Sequence, residues 1–559
     1  MSDCDNEGAA MNLTKLGTRP ASEMTFPWQR PAKGDLGKIL LIYPITGMDV
    51  YGINVGLPLS CLYLGTVLER AGYRVEILDE RVTGSFEEDV AESILRERPL
   101  LAGISSMTGM QIRGGLKAAR TLRRVDPTVP IVWGGVHPSL CPDSTLKDEL
   151  CDLVVVGEGE ITLIELADCI REGGELEAVK GIGYKRGGQL KFTPSRPMIE
   201  HLDVIPRPDY GLIDMDQYFT RAPSTGEAQL QMVTSRGCPF DCEFCYNLKF
   251  NEQRFRYHSA ERVVSDLTYL VEQFGVNAVF IEDDYFFGHP GRVREICDLL
   301  LEKQLDLLIQ VPCRIDYLYR QDAAMIDKLY RAGFKEIWIG VESGAPDRLK
   351  EILKRTTLDQ VRQVNQLLAG SDVYIKYGFM AGVPNEEREE TLQTVDFMFE
   401  LAASNPNAGT APVAIYTPYP GTTLYDKAKL VYGMKLPDTL EGWSHFHFGE
   451  NNNPFLSPRQ KKFISKINVM SRFFERKAFE RFCDNRFKPL LMGIHSVYYR
   501  YLRLRLRLRF FEFMPEIPLI RLMEKMYVHF FHRAQLSKLK RPVTPDTYAG
   551  DTRAAGSAP

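Results

Sequence analysis

At 559 residues the chain is too long for one compact core, and 44% hydrophobic with 25% charged residues is the make-up of an ordinary globular protein of about three or four domains. A formal net charge of −4 argues against a protein devoted to nucleic acid, which carries a basic excess. Of the eleven cysteines, eight (Cys4, Cys61, Cys141, Cys151, Cys169, Cys297, Cys313 and Cys483) stand singly and read as reduced thiols in a cytoplasmic protein.

Residues 1–36 are polar and aperiodic, without a basic and apolar leader, and predict a flexible arm. The uncharged stretch 50–68 holds three glycines, a proline and an asparagine, which predicts a loop followed by a helix in preference to a membrane span. Between 37 and 200 the runs "KILLIYP", "RVEILD", "LLAGISSMT", "PIVWGGV" and "DLVVVGEGE" alternate with helical or loop segments. That alternation predicts an open, parallel α/β sheet with its ligand site beyond the carboxyl ends of the strands. Small and polar residues gather there: Ser105, Ser106 and Thr108, then Gly134, Gly135 and His137, then Gly157, Glu158 and Gly159.

Residues 201–228, with "PRPDYGL", predict a linker. A second alternation fills 229–430, starting at "LQMVTSR" and continuing with strand-like runs at 278–282, 307–311, 336–341, 374–380 and 412–416. Six βα units predict a partial TIM-type barrel, whose chemistry sits at the strand ends. Residues 431–540 read as helical, basic and aromatic, and 541–559 as a disordered tail of Pro, Gly, Ala, Thr and Ser.

Directly after the first barrel strand comes "SRGCPFDCEFCY", three cysteines within eight residues and no fourth. Three thiolates hold three irons of a cubane and leave the fourth iron open to a ligand, a vacancy that a catalytic site needs and a structural one does not. The competing reading is a zinc knuckle completed by a distant ligand such as His258. Phe240 and Phe244 are placed to shield a cluster from water.

Cys238-x-x-x-Cys242-x-x-Cys245, followed by Tyr246, resembles the cluster loop of radical S-adenosylmethionine enzymes. "FIEDDYFF", with Asp283, resembles the segment that borders the methionine amino group in that superfamily. "VPCRID" carries Arg314, "IWIGVESG" brings Glu342 and Ser343 to the fourth strand end, and "PYPGTTLYD" follows the sixth strand. The resemblance implies a 4Fe-4S cluster on Cys238, Cys242 and Cys245, with S-adenosylmethionine bordered by Tyr246, Asp283, Arg314, Glu342 and Ser343. It implies reductive cleavage to a 5′-deoxyadenosyl radical, and an electron donor such as flavodoxin or ferredoxin. Plainer readings stay open: Asp283 and Asp284 as helix caps, Glu342 as a solvated strand-end carboxylate, Arg314 as a surface charge.

The first domain resembles the cobalamin-binding domain that precedes the barrel in a large subfamily, through "GLPLSCLYLGTVLERAGYRVEILD", "GGVHPS" and "DLVVVGEGE". Cobalamin is then expected against Ser105, Thr108, Gly134, Gly135, His137, Gly157 and Glu158, since strand-end glycines admit a flat macrocycle and hydroxyls meet its amide fringe. His137 reads equally well as a buried, hydrogen-bonded imidazole. The Asp-x-His-x-x-Gly motif is absent, and "DVYGIN" has Tyr51 where the histidine would stand. Two activities fit this domain order: methylation of an unactivated carbon, and oxidative ring closure as in relatives resembling the anaerobic magnesium-protoporphyrin ester cyclase. A metal-dependent binding module without turnover is the third reading, disfavoured by the full cofactor constellation.

Residues 485–541 hold thirteen Lys/Arg against three Asp/Glu, and "YLRLRLRLRFFEFM" alternates Leu and Arg with period two. That pattern predicts an amphipathic edge strand, an interfacial helix meeting a membrane peripherally, or a solvated helical cap. The substrate expected is a small molecule or a lipid-like one.

Overall fold

The computed structural model describes residues 25–29, 34–47, 55–222, 225–446, 453, 456–475, 488–511 and 513–522. The first sheet has seven strands: β1 (Lys38–Tyr43), β2 (Arg74–Asp79), β3 (Leu101–Ser105), β4 (Ile131–Gly134), β5 (Leu153–Val155), β6 (Ile182–Arg186) and β7 (Gln189–Phe192). Their order is β2-β1-β3-β4-β5-β6-β7, parallel through β5. β1 is apolar on both faces because helices cover both. Ile39 and Leu41 join the core under the helix Leu59–Arg70, while Leu40 and Ile42 join that of Val90, Ile94, Ile112 and Leu116. The antiparallel hairpin β6–β7 lies beyond the predicted strands. Gly187 and Gly188 close it, both with positive φ as a two-residue turn requires.

The second sheet contains β8 (Thr220–Arg221), β9 (Ala228–Met232), β12 (Ala278–Ile281), β13 (Leu308–Cys313), β14 (Phe334–Glu342), β15 (Tyr374–Ala381), β16 (Ala408–Thr410) and β17 (Ala414–Ile415). A small pair, β10 (Ser235–Arg236) with β11 (Arg256–Tyr257), stands apart. From β9 to β15 all pairings are parallel, and β16 and β17 both pair β15, sharing the place predicted for one strand at 412–416. Local signals set the outer helices: Ser259 caps Ala260–Phe274 by accepting from the Arg262 amide, and left-handed Gly275 ends it.

Several stretches differ from the sequence reading. Within the predicted arm, Phe26 and Trp28 are buried, and the Trp28 indole donates to the Val204 carbonyl at 3.2 Å. These two aromatics join the core beneath the first sheet. The linker is packed as well, with Tyr210 stacked on Tyr269 at 6.1 Å and Arg207 paired to Asp266 at 2.6 Å. After the barrel the chain returns to the first sheet, where Tyr425, Leu440 and Trp443 complete the core of Ile112, Leu116 and Trp133. Of the three readings of the Leu/Arg run, the edge strand is excluded and a helix, as expected for 431–540, is found. The run ends a helix Lys488–Arg507 that lies on the barrel through Tyr499 and Phe399, 5.6 Å apart. Among the described residues no helix is long and apolar enough to cross a membrane. Tyr51, Cys4, Cys483 and the tail 541–559 lie outside the described residues.

Candidate active site

β10 leads straight into the cluster loop. Gly237 sits at φ +83, and a Cβ there would meet the Arg254 carbonyl at 2.0 Å, so only glycine passes. Its amide donates to Asp284 Oδ2 at 3.0 Å. The Cys245 amide donates to the Cys242 carbonyl at 3.0 Å, folding the second half of the loop back on itself. Burial pushes the Cys238 thiol up to about 12 and the Cys245 thiol up to about 11, so bare thiols stay protonated and a metal must displace those protons. Among the described residues no three His, Cys, Asp or Glu side chains converge to hold a single ion. His258, the alternative zinc ligand, has its Nδ1 3.1 Å from Asp203.

Arg314 closes over this loop. Its guanidinium lies 3.6 Å from the Phe240 ring centroid and donates to Cys242 Sγ at 3.4 Å, to Asp316 at 2.8 Å and to the Lys354 carbonyl at 2.8 Å. The sequence reading put Arg314 beside S-adenosylmethionine; its contacts here are to a cluster cysteine. A cationic donor on a ligating sulfur stabilises the reduced cluster. Arg314→Met is therefore expected to lower the cluster potential by tens of millivolts in a redox titration followed by paramagnetic resonance. An unchanged potential would leave the arginine only its backbone-holding part.

The segment after β12 keeps the strand alternation. Asp283 turns inward, and its carboxylate takes the Thr234 amide, the Thr234 hydroxyl and the Ser235 hydroxyl, each at 2.6 Å. It anchors the approach to the cluster loop. Glu282 and Asp284 on either side are exposed, opening onto the cleft. The protein walls around these two carboxyls still strip part of their water, which pushes Glu282 up to about 7, with Arg81 opposing, and raises Asp284. Sequence reasoning named Asp283 and passed over Glu282. The alternation of outward and inward side chains past the end of β12 was the available signal.

Glu342 ends β14 at φ +76, a left-handed conformation rare for a residue with a side chain, at a register shift against β15. Its carboxylate pairs with Lys354 at 2.8 Å. Ser343 is buried and accepts from the Ala345 amide at 3.1 Å. Tyr246 meets Phe250 edge-on at 5.9 Å, and burial raises its phenol.

On the facing domain, Gly135 at φ +101 has no room for a Cβ, which would meet the Ser106 carbonyl at 2.7 Å. Gly134 is different, since a Cβ there would find only Val155, at 3.8 Å, and at Gly157 it would find nothing within 4 Å. Ser106 Oγ is buried without a partner among the described residues, while Ser105 Oγ lies 3.1 Å from Ser60 Oγ. A strand-end rim with open space at Gly157 and an unpartnered hydroxyl fits a large amide-fringed macrocycle. His137 is fully buried, with Nδ1 2.9 Å from Thr108 Oγ1 and its ring edge-on to Trp443 at 5.3 Å. Burial alone drives it down to about 3, so the ring is neutral. Glu158, expected at the cobalamin, is engaged by the barrel instead. Arg236 at 2.7 Å and Arg256 at 2.8 Å bind its Oε1, and the Ile199 amide binds its Oε2 at 2.8 Å.

The carboxyl ends of the two sheets meet. The Leu57 amide donates to Gln231 Oε1 at 3.1 Å, and the Tyr218 hydroxyl to Asp79 at 3.1 Å. A cobalamin-type sheet facing a barrel with a three-cysteine loop defines a cobalamin-dependent radical S-adenosylmethionine enzyme. The family models agree: a B12 binding domain matches residues 53–167 and the Radical SAM superfamily matches 232–398. An uncharacterized methyltransferase of Pyrococcus horikoshii is 31% identical over 70% of this chain and 83% of its own. The anaerobic magnesium-protoporphyrin IX monomethyl ester cyclase of Rubrivivax gelatinosus is 29% identical over 78% and 77%. The solved cobalamin-dependent S-adenosylmethionine radical enzyme OxsB, with aqua-cobalamin and S-adenosylmethionine bound, shares the fold at a TM-score of 0.66 and 18% identity, covering 90% of this chain and 80% of its own. The chain belongs to the radical S-adenosylmethionine superfamily, in the branch with a B12 binding domain. Its cofactors are a 4Fe-4S cluster, S-adenosylmethionine and cobalamin.

Proposed function

We propose that the enzyme methylates an unactivated carbon of a small or lipid-like molecule. The observation that carries this reading is the meeting of the two carboxyl edges at Leu57 and Gln231, which lets one substrate reach both cofactors. When bound, the cluster and S-adenosylmethionine supply a 5′-deoxyadenosyl radical and cobalamin supplies the methyl group. Cys238, Cys242 and Cys245 hold the irons, and Arg314 steadies Cys242. Tyr246, Asp284, Glu342 and Ser343 border S-adenosylmethionine, with Asp283 holding the loop from behind. Ser105, Ser106, Thr108, Gly134, Gly135 and Gly157 line the cobalamin side, with His137 fixing Thr108. A flavodoxin or ferredoxin delivers the electron, and residues 485–541 bring the enzyme to a lipid surface.

Formation of 5′-deoxyadenosine tests for radical chemistry, and an equal yield of S-adenosylhomocysteine beside it tests for methylation. Oxidative ring closure is the second reading, favoured by Glu282. Its carboxyl opens outward just past β12 and is pushed up to about 7 by the protein around it, so it is placed to accept the proton an oxidation releases, whereas methyl transfer to a carbon radical releases none. 5′-Deoxyadenosine formed without S-adenosylhomocysteine would decide for it.

Cobalamin retention has its own test. Because Gly135 is held by the fold, the informative change is Gly134→Leu, which the backbone tolerates. Wild-type protein should carry hydroxocobalamin through gel filtration, and the variant should lose it while keeping its circular dichroism. Equal retention would remove Gly134 from the cobalamin side. The cobalt(II) spectrum should lack nitrogen splitting, since His137, the histidine of that rim among the described residues, is fully buried against Thr108 and Trp443.

A further inference from the structure

The helix Lys488–Arg507 uses one face against the barrel, where His495, Leu502 and Leu506 are buried. On the other side Leu490, Ile494, Val497, Tyr501, Leu504 and Leu508 are between 40% and 69% exposed. Their spacing alternates four and three, which makes a single stripe about 27 Å long at 1.5 Å per residue. The helix contains no Asp or Glu. Exposed Arg500, Arg503 and Arg507 form a row beside the stripe. Arg505 and Arg509 are excluded from that row: Arg505 donates to the Phe510 carbonyl at 3.2 Å, and Arg509 pairs with Asp396 at 2.9 Å and Glu389 at 3.2 Å.

The Arg509 pairing also fixes which end of the barrel the stripe reaches. Glu389 is in the first turn of the helix Arg388–Ser404, which begins where β15 ends, at the same carboxyl edge as the cluster loop. Phe510 and Phe513, 47% and 66% exposed, extend the apolar surface there.

We infer that this face docks on an anionic lipid layer with the barrel mouth beside it, and that the substrate is an amphiphile held in that layer. The substrate class rests on the methylation reading above; the docking does not. An apolar stripe on a helix without acids, edged by Arg500, Arg503 and Arg507 and with aromatics at its end, matches acyl chains below and anionic headgroups at the rim. A second copy is a poor occupant, because pairing two such faces would bring their arginine rows together while the adjacent acids, Asp396 and Glu389, are already taken by Arg509.

The test is co-sedimentation of the full-length reconstituted enzyme with vesicles of phosphatidylglycerol mixed into phosphatidylcholine, against phosphatidylcholine alone, at low and high salt. Binding is expected to the anionic vesicles at low salt and to fall with salt. Each cation near an anionic leaflet is worth about fivefold, so R500Q/R503Q/R507Q together should lose on the order of a hundredfold. Exposed-face variants L504S/L508S/F513S should lose binding as well. Both sets should keep the cluster absorbance and form 5′-deoxyadenosine at the wild-type rate, which separates failure of the docking from failure of the radical reading. Equal binding to neutral vesicles, no binding at low salt, or a dimer in sedimentation that the same variants dissolve would each overturn the proposal.

Discussion

Anaerobically reconstituted protein is expected to be brown, with sulfur-to-iron absorption near about 400 nm. Cys238→Ala, Cys242→Ala or Cys245→Ala should each abolish that band and all cleavage of S-adenosylmethionine. Cys297→Ala should spare both, because that thiol is buried in the core between outer helix and sheet. Gly237→Ala should match the cysteine variants without removing a ligand. Its methyl group would collide with the Arg254 carbonyl, and the loop would have to give up its bond to Asp284. A colourless wild type carrying stoichiometric zinc would sink the radical assignment. A brown Gly237→Ala would show that the loop bends more freely than its contacts imply.

Glu158→Ala is expected to destabilise the protein by about 3 kcal/mol, read as a lower urea midpoint, because it strips the counter-charge from two arginines at once. Arg256 is almost wholly buried and would keep only the Ile199 carbonyl and Asn251 as partners. Arg236 would keep Glu160, at 2.5 Å. The pH dependence has a definite sign. Burial opposes ionisation of Glu158, but Arg236 and Arg256 outweigh it and hold the carboxyl below its ordinary 4.5. A group with a depressed folded value stabilises above its unfolded value and loses that stabilisation as pH falls through the folded one. Wild-type stability should therefore drop on acidification below about pH 4.5, and the variant should show less of that drop. Equal midpoints for the two proteins would mean that the cluster of charges contributes nothing net.

Both domains were legible in the sequence because their strands are apolar runs that alternate with helices, and because Cys238, Cys242 and Cys245 form a motif within eight residues. What the sequence did not disclose depends on partners far along the chain. Glu158 looks like one more polar residue at a strand end, and nothing local says that Arg236 and Arg256 will claim it. Asp283 and Glu282 are adjacent acids, and only the pleat decides which one is spent on Thr234 and Ser235 and which opens to the cleft. The period of the Leu/Arg alternation allowed a strand as well as a helix. Tertiary packing decides between them, since His495, Leu502 and Leu506 fall on one helical face and Arg505 can bury its stem among them.

The return of the chain to its first domain bears on how such proteins are inherited. Trp443 and Tyr425 are encoded after the barrel but finish the core behind β4, and Arg120 reaches Glu441 at 2.7 Å across the same join. A recombination event that exchanged one barrel for another at residues 201–228 would leave His137 facing a replacement for Trp443 from the wrong lineage. The two halves are thus bound to descend together, and new substrates are more readily acquired through point changes at the cleft than by shuffling whole modules.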